Sequence, residues 1–195
     1  VTDYLQHLIP GMFVLSVAMI TQYTAISLNT DITEGVFDRF RSLSFWRPAA
    51  LVGALFGDTI RYTMTAIVVV AAGLVLGFRP EAGLTGVVMA LGVTLVFAFS
   101  LSWIWTTVGL IMDDAESVSM VSSIVNFPLL FISNVFVEPE TMPAFLRQYV
   151  SINPFGLTVT AVRGLMHGQA VATQMGYVFL WCVALIAVFG PLTMY

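Results

Sequence analysis

Charged positions divide this chain into long apolar runs. The stretches free of Asp, Glu, Lys and Arg are 4–30, 62–78, 82–112, 117–137, 148–162 and 164–195, which are 27, 17, 31, 21, 15 and 32 residues long. About 20 apolar residues, each rising about 1.5 Å, cross a hydrocarbon layer of about 30 Å. Four runs meet that length outright, and the 17-residue run meets it by taking in 55–60. A buried helix of a water-soluble protein would carry a charged face over such a length. The pattern therefore predicts an all-α, polytopic membrane helix bundle with five spans, at 9–28, 55–78, 84–112, 118–137 and 175–195. The run after Arg147 is different. Asn153-Pro154 breaks it, because proline lacks an amide donor and disfavours a helical residue before it. Residues 139–168 read as a broken segment, partly re-entrant or lying on the surface, of a kind tolerated at membrane depth only where protein or water covers it.

Composition narrows the function. The chain is 58% apolar and 9% charged, against about 25% charged in soluble domains, and so apolar a chain is not disordered. A net charge of −4 offers no basic stripe for a phosphate backbone, so no nucleic-acid partner is expected. The single cysteine, Cys182, excludes an intrachain disulfide and a multi-cysteine metal site, and His7 and His167 are the only histidines. All seven basic residues are Arg; a nucleotide-binding phosphate loop needs a Lys, so the chain is not expected to hydrolyse ATP by that route. Residues 1–8 lack the basic start and cleavage site of a signal peptide, and both ends fall at or near spans. The chain is expected to be a fragment holding one membrane domain over 1–195. Arg39, Arg41, Arg47 and Arg61 lie between the first two spans, with Arg79, Arg147 and Arg163 on the other side. The positive-inside rule makes 29–61 cytoplasmic, and the acidic turn at 113–116 with it.

Few residues suggest chemistry. The longest polar stretch is 31–47. Asp31 and Glu34 have the spacing of a capping box at a helix start, Ile32, Val36, Phe40 and Leu43 fall on one helical face, and Asp38 and Arg41 can pair at i, i+3. Such a segment reads either as an interfacial helix on the headgroups or as a docking element for a cytoplasmic partner. Asp58 and Arg61, three apart at the start of the second span, read as an interface anchor, with a gating role as the alternative; no ionisable residue is expected at mid-membrane. Asp113-Asp114-Ala115-Glu116 has the look of the acidic clusters that hold diphosphates in membrane prenyl-transferring enzymes. Those need a second acidic set, which this chain lacks, so a solvated turn is expected. No nucleophile elbow or zinc-protease motif occurs. The pairs Gly53/Gly57, Gly73/Gly77 and Gly164/Gly168 are spaced to let helices approach closely.

Residues 126–168 carry a more specific pattern: Phe127-Pro128-Leu129, Phe131-Ile132-Ser133-Asn134, Glu140-Thr141-Met142-Pro143, Asn153-Pro154-Phe155 and Val162-Arg163-Gly164-Leu165 ending at Gly168. Together with Glu34-Gly35-Val36-Phe37-Asp38-Arg39-Phe40-Arg41, it resembles the membrane subunit of type-2 ABC exporters, close to the daunorubicin/doxorubicin-resistance permease group. The resemblance covers about 8–190. It implies six spans in the full-length protein, with the first span, its preceding cytoplasmic segment and a C-terminal tail missing here; Ser44 stands where the family often has proline. It also implies that Asp31, Glu34, Val36, Asp38, Arg39, Phe40 and Arg41 belong to a coupling helix docking on a separate ATPase subunit, and that Pro139, Pro143, Asn153, Pro154 and Arg163 belong to short helices at the outer face. The implied assembly has two permease subunits, as a homo- or heterodimer in membrane lipid, and two ATPase subunits. ATP and Mg²⁺ would sit on the latter, leaving no cofactor in this chain. Its implied task is export of a hydrophobic or amphipathic compound, whether drug, lipid or glycolipid, across the cytoplasmic membrane. The alternative is a secondary transporter or a membrane-embedded enzyme.

Overall fold

The computed structural model describes residues 2–35, 49–131 and 152–194. These form six α-helices, with no strand among them: α1 (Thr2–Thr33), α2 (Ala49–Val75), α3 (Gly83–Ile111), α4 (Ala115–Phe131), α5 (Pro154–Met166) and α6 (Ala172–Met194). Four stretches, Tyr4–Thr33, Phe56–Val75, Gly83–Ile111 and Ala172–Thr193, are long and apolar enough to cross a membrane. The expected span at 118–137 begins in α4, which is described for 17 residues; 132–137 lie outside the described residues.

α1 and α3 form the central pair. α3 packs against all five other helices, and α1 against α2, α3, α4 and α5. One apolar cluster joins Phe13, Val14 and Val17 of α1 to Tyr62 and Ala66 of α2 and to Val159, Val162 and Met166 of α5. A second joins Phe97 and Leu101 of α3 to Phe155 of α5 and Val178 and Cys182 of α6. Side chains such as Ile60, Met64, Ile67 and Val68 of α2 and Leu180 and Val183 of α6 face outward. In lipid that exposure costs little, since acyl chains are as apolar as the side chains, and helix association rests on close packing and interhelical hydrogen bonds. At helix–helix contacts the close packing follows the expected glycine pairs only at Gly73, where a Cβ would stand 2.8 Å from Ile9 Cγ2 of α1. Gly53 and Gly57 meet open space, while Gly77 and Gly168 lie in turns with φ of 100° and 70°. α1 and α3 cross closely at Gly109, where a Cβ would stand 2.7 Å from the Ala25 carbonyl oxygen. Only glycine lets α1 and α3 meet there.

α1 runs past both predicted ends. Pro10 lies inside it, and with no N–H at Pro10 the carbonyl of Gln6 loses its helical donor. His167 supplies a substitute, donating Nε2 to Gln6 O at 3.2 Å, and Arg163 Nη2 donates to His7 O at 3.1 Å. At the other end Thr30 and Thr33 donate back to Ile26 O and Asn29 O, and the helix closes in a turn at Gly35 with φ 72°. Asp31 therefore sits in the last turn of α1 and Glu34 just beyond it. The capping box expected at these residues is corrected: they close one helix rather than open another.

Candidate functional site

The half of α1 from Thr21 to Asn29 carries a seam of polar side chains that tie it to three neighbours. Thr24 Oγ1 donates to Asp58 Oδ2 of α2 at 2.6 Å and lies 2.7 Å from Tyr62 Oη. A hydroxyl has one hydrogen, so Tyr62 must donate to Thr24. Thr21 Oγ1 donates to Ala18 O at 2.6 Å and accepts from the indole Nε1 of Trp105, on α3, at 2.9 Å. Gln22 Oε1 accepts from Asn126 Nδ2 of α4 at 3.1 Å. Asn29 Nδ2 donates to Gly109 O and Met112 O, at 3.1 and 2.7 Å, which serves carbonyls at the end of α3 that have no helical donor. Each interhelical bond of this kind contributes roughly 0.6 kcal/mol and at most about 1.7 kcal/mol in lipid. Their combined effect is to fix the register of four helices.

Asp58 is the one carboxylate of the seam. It is 7% exposed, and its Oδ1 is 3.0 Å from Arg61 Nη1, whose side chain is 47% exposed. The expected interface anchor is thus half right: Arg61 reaches outward, but Asp58 faces α1. It lies level with Thr24, nine residues or about 14 Å from the Thr33 end of α1. Asp58 is the third residue of the apolar stretch Phe56–Val75, near the start of the second span as the sequence places it. A charge costs up to roughly 2.5–3.5 kcal/mol at the bilayer centre on insertion scales; near a span end the cost is smaller, and the Arg61 cation and the Thr24 hydroxyl offset it.

α5 is a half-length helix packed inside the bundle. Asn153 caps it, its Oδ1 accepting from Phe155 N at 3.0 Å, and Pro154 stands in the first turn, where its missing N–H costs nothing. Phe155 packs edge-on to Phe97 at 5.3 Å between ring centroids, and Phe97 is 14 residues, about 21 Å, into α3. At its other end Ala82 N donates to Met166 O at 3.1 Å, beside the start of α3. α5 therefore runs from mid-bundle to the end that carries Arg79, Glu81 and His167. Of the outer-face residues named from the sequence, Asn153, Pro154 and Arg163 belong to α5, while Pro139 and Pro143 lie outside the described residues. Of the coupling residues, Asp31 and Glu34 lie at the opposite end of α1, and Val36, Asp38, Arg39, Phe40 and Arg41 lie outside the described residues.

The acidic turn is structural. Asp114 caps α4, its Oδ1 accepting from Ser117 N at 2.8 Å and its Oδ2 from the Ser117 hydroxyl at 2.9 Å. The Ser117 amide and then its hydroxyl hold the Asp114 carboxyl below the usual carboxylate range. Among the described residues no three His, Cys, Asp or Glu side chains gather to hold a metal. Sequence reasoning missed the seam, although Thr21 and Thr24 three apart and Gln22 and Asn29 seven apart repeat at helical spacing.

Against this geometry stand the comparisons with known proteins. The family described as ABC-2 type transporter matches residues 2–167. A "Daunorubicin resistance ABC transporter permease protein DrrB1" of Streptomyces coeruleorubidus is 50% identical over 192 residues, 98% of this chain and 68% of the relative. A "Probable doxorubicin resistance ABC transporter permease protein DrrC", in Mycobacterium tuberculosis strains CDC 1551 and H37Rv alike, is 26% identical over 169 residues, 85% of this chain and 60% of the relative.

Proposed function

The chain belongs to the ABC-2 type transporter family, and from that premise we propose that it works as the membrane-spanning permease subunit of an ATP-driven exporter, with ATP hydrolysed on a separate subunit. The single observation that carries this reading is the family match over 2–167 on a multi-pass helical bundle. The absence of Lys, and with it of a phosphate loop, supports placing ATP and Mg²⁺ on the partner. Two ATPase copies and two permease copies, homo- or heterodimeric, complete the assembly. The ATPases push on 31–47, and the bundle alternates between inward- and outward-facing states. The resistance names of the relatives support an amphipathic drug as the compound moved outward; the outward apolar faces of α2 and α6 fit entry from lipid.

The test is ATP-driven accumulation of daunorubicin by inside-out vesicles holding the full-length protein with and without an ABC ATPase subunit. Accumulation is expected only with both subunits and ATP. Uptake by the permease alone, driven by an ion gradient, would instead establish a secondary transporter.

A further inference from the structure

We propose that Asp58 is a positioning residue for transport, resting on the exporter reading above: its carboxylate ties α2 to α1 so that both helices move as one body when the segment connecting them is pushed. Two observations carry this. Beyond the Thr24 contact, α1 and α2 meet through apolar atoms, with Phe13, Val14 and Val17 clustered with Ala66 and with Ile9 against Gly73, a surface without directional bonds. At the seam, Thr24 donates to Asp58 and accepts from Tyr62, so a slip of one helical turn, about 5.4 Å, breaks both bonds at once. The tie is therefore all-or-none, as a two-state device requires.

Stability alone does not call for this carboxylate. An apolar side chain packs such a contact at equal or lower free energy, because a buried ion pair seldom repays its desolvation. What the carboxylate adds is a cross-helix acceptor: Asp58 accepts from Thr24 of α1, and Arg61, three residues on in α2 itself, pairs with its other oxygen and offsets its charge. Thr24 belongs to the seam that continues through Thr21, Gln22 and Asn29 to α3 and α4. Through this contact, displacement of α2 is passed by hydrogen bonds to α1 and on to α3 and α4.

The experiment uses the full-length protein with its ATPase in proteoliposomes, and reads daunorubicin moved per ATP hydrolysed. Asp58→Asn replaces the charge-assisted bond from Thr24 with a weaker neutral one; the ratio is expected to fall about tenfold, within the usual range of coupling between sites, with co-purification and ATP hydrolysis retained. Asp58→Glu, which keeps the charge, is expected to recover part of the loss. Asp58→Asn combined with Arg61→Gln is expected to be no worse than Asp58→Asn alone, as for two members of one unit. A merely structural role would lower the amount of folded complex and leave the ratio unchanged. If Asp58→Asn does not accumulate, Thr24→Val and Tyr62→Phe carry the same test with neutral side chains, and a wild-type ratio in both overturns the inference. A wild-type complex without ATP-dependent uptake would overturn the exporter reading and this inference together, whereas a wild-type ratio in Asp58→Asn overturns this inference alone.

Discussion

At Asp114 one carboxylate oxygen serves the backbone and the other a hydroxyl, both on Ser117. Because these bonds lower its pKa in the folded chain, the stabilisation is fully present above the ordinary aspartate value of about 3.9. It is lost as pH falls through the lowered folded value. Thermal unfolding in detergent should show Asp114→Ala less stable than wild type at neutral pH, with the difference closing in strong acid. Asp114→Asn, which caps without titrating, should retain its stability there; a wild type insensitive to acid over that range would count against the cap. Gly109 poses a steric question. A Cβ would sit 2.7 Å from the backbone oxygen of Ala25, which cannot rotate aside, and overpacking of this sort typically costs about 1–3 kcal/mol. Gly109→Val should lower the melting temperature and the yield of folded protein, whereas Gly92→Val, where a Cβ meets open space, should change neither.

The helices were legible in the sequence to differing degrees, and the differences have physical causes. Span 84–112 matches α3, Gly83–Ile111, because charges at Glu81 and Asp113 bracket it closely. α1 starts before its predicted 9–28 because the Gln6 carbonyl freed by Pro10, a breaker in isolation, is served by His167, a partner 161 positions away that no local window contains. Asn153-Pro154 was legible as a discontinuity, but its depth was not: that depends on Phe155 meeting Phe97. The seam escaped notice because Thr, Gln and Asn carry no charge and leave an uncharged run intact. At this scale two outcomes are expected. Arg163→Leu removes the bond from α5 to His7 O and should loosen α5, seen as faster proteolysis near His167 with the spans intact. If 31–47 is the docking helix, Phe40→Ala removes an aromatic anchor, with a loss of about 2 kcal/mol or roughly 30-fold in affinity for the ATPase; co-purification of the subunits measures it, and unchanged recovery would return that stretch to a plain interfacial helix.

For the whole molecule, the bundle has two unlike ends. Glu34 lies at one, beyond the close of α1, and Glu81 at the other, in the turn before α3. With Cys182→Ser as a cysteine-free background, Glu34→Cys should be shielded from an impermeant thiol reagent in intact cells and Glu81→Cys should react, as the positive-inside assignment requires; the reverse pattern would invert the orientation. The seam on α1 has a further consequence in the order of synthesis. α1 leaves the ribosome before α2, α3 and α4, yet Gln22, Thr24 and Asn29 obtain the partners named above only from α4, α2 and the end of α3. Until then their polar groups meet hydrocarbon unpaired, at a cost borne by each unsatisfied group. Nascent chains halted after α1 should therefore linger at the insertion machinery and be degraded quickly in cells. Chains halted after α4 should release into the bilayer and persist, and their half-lives should lengthen stepwise as each partner helix is added.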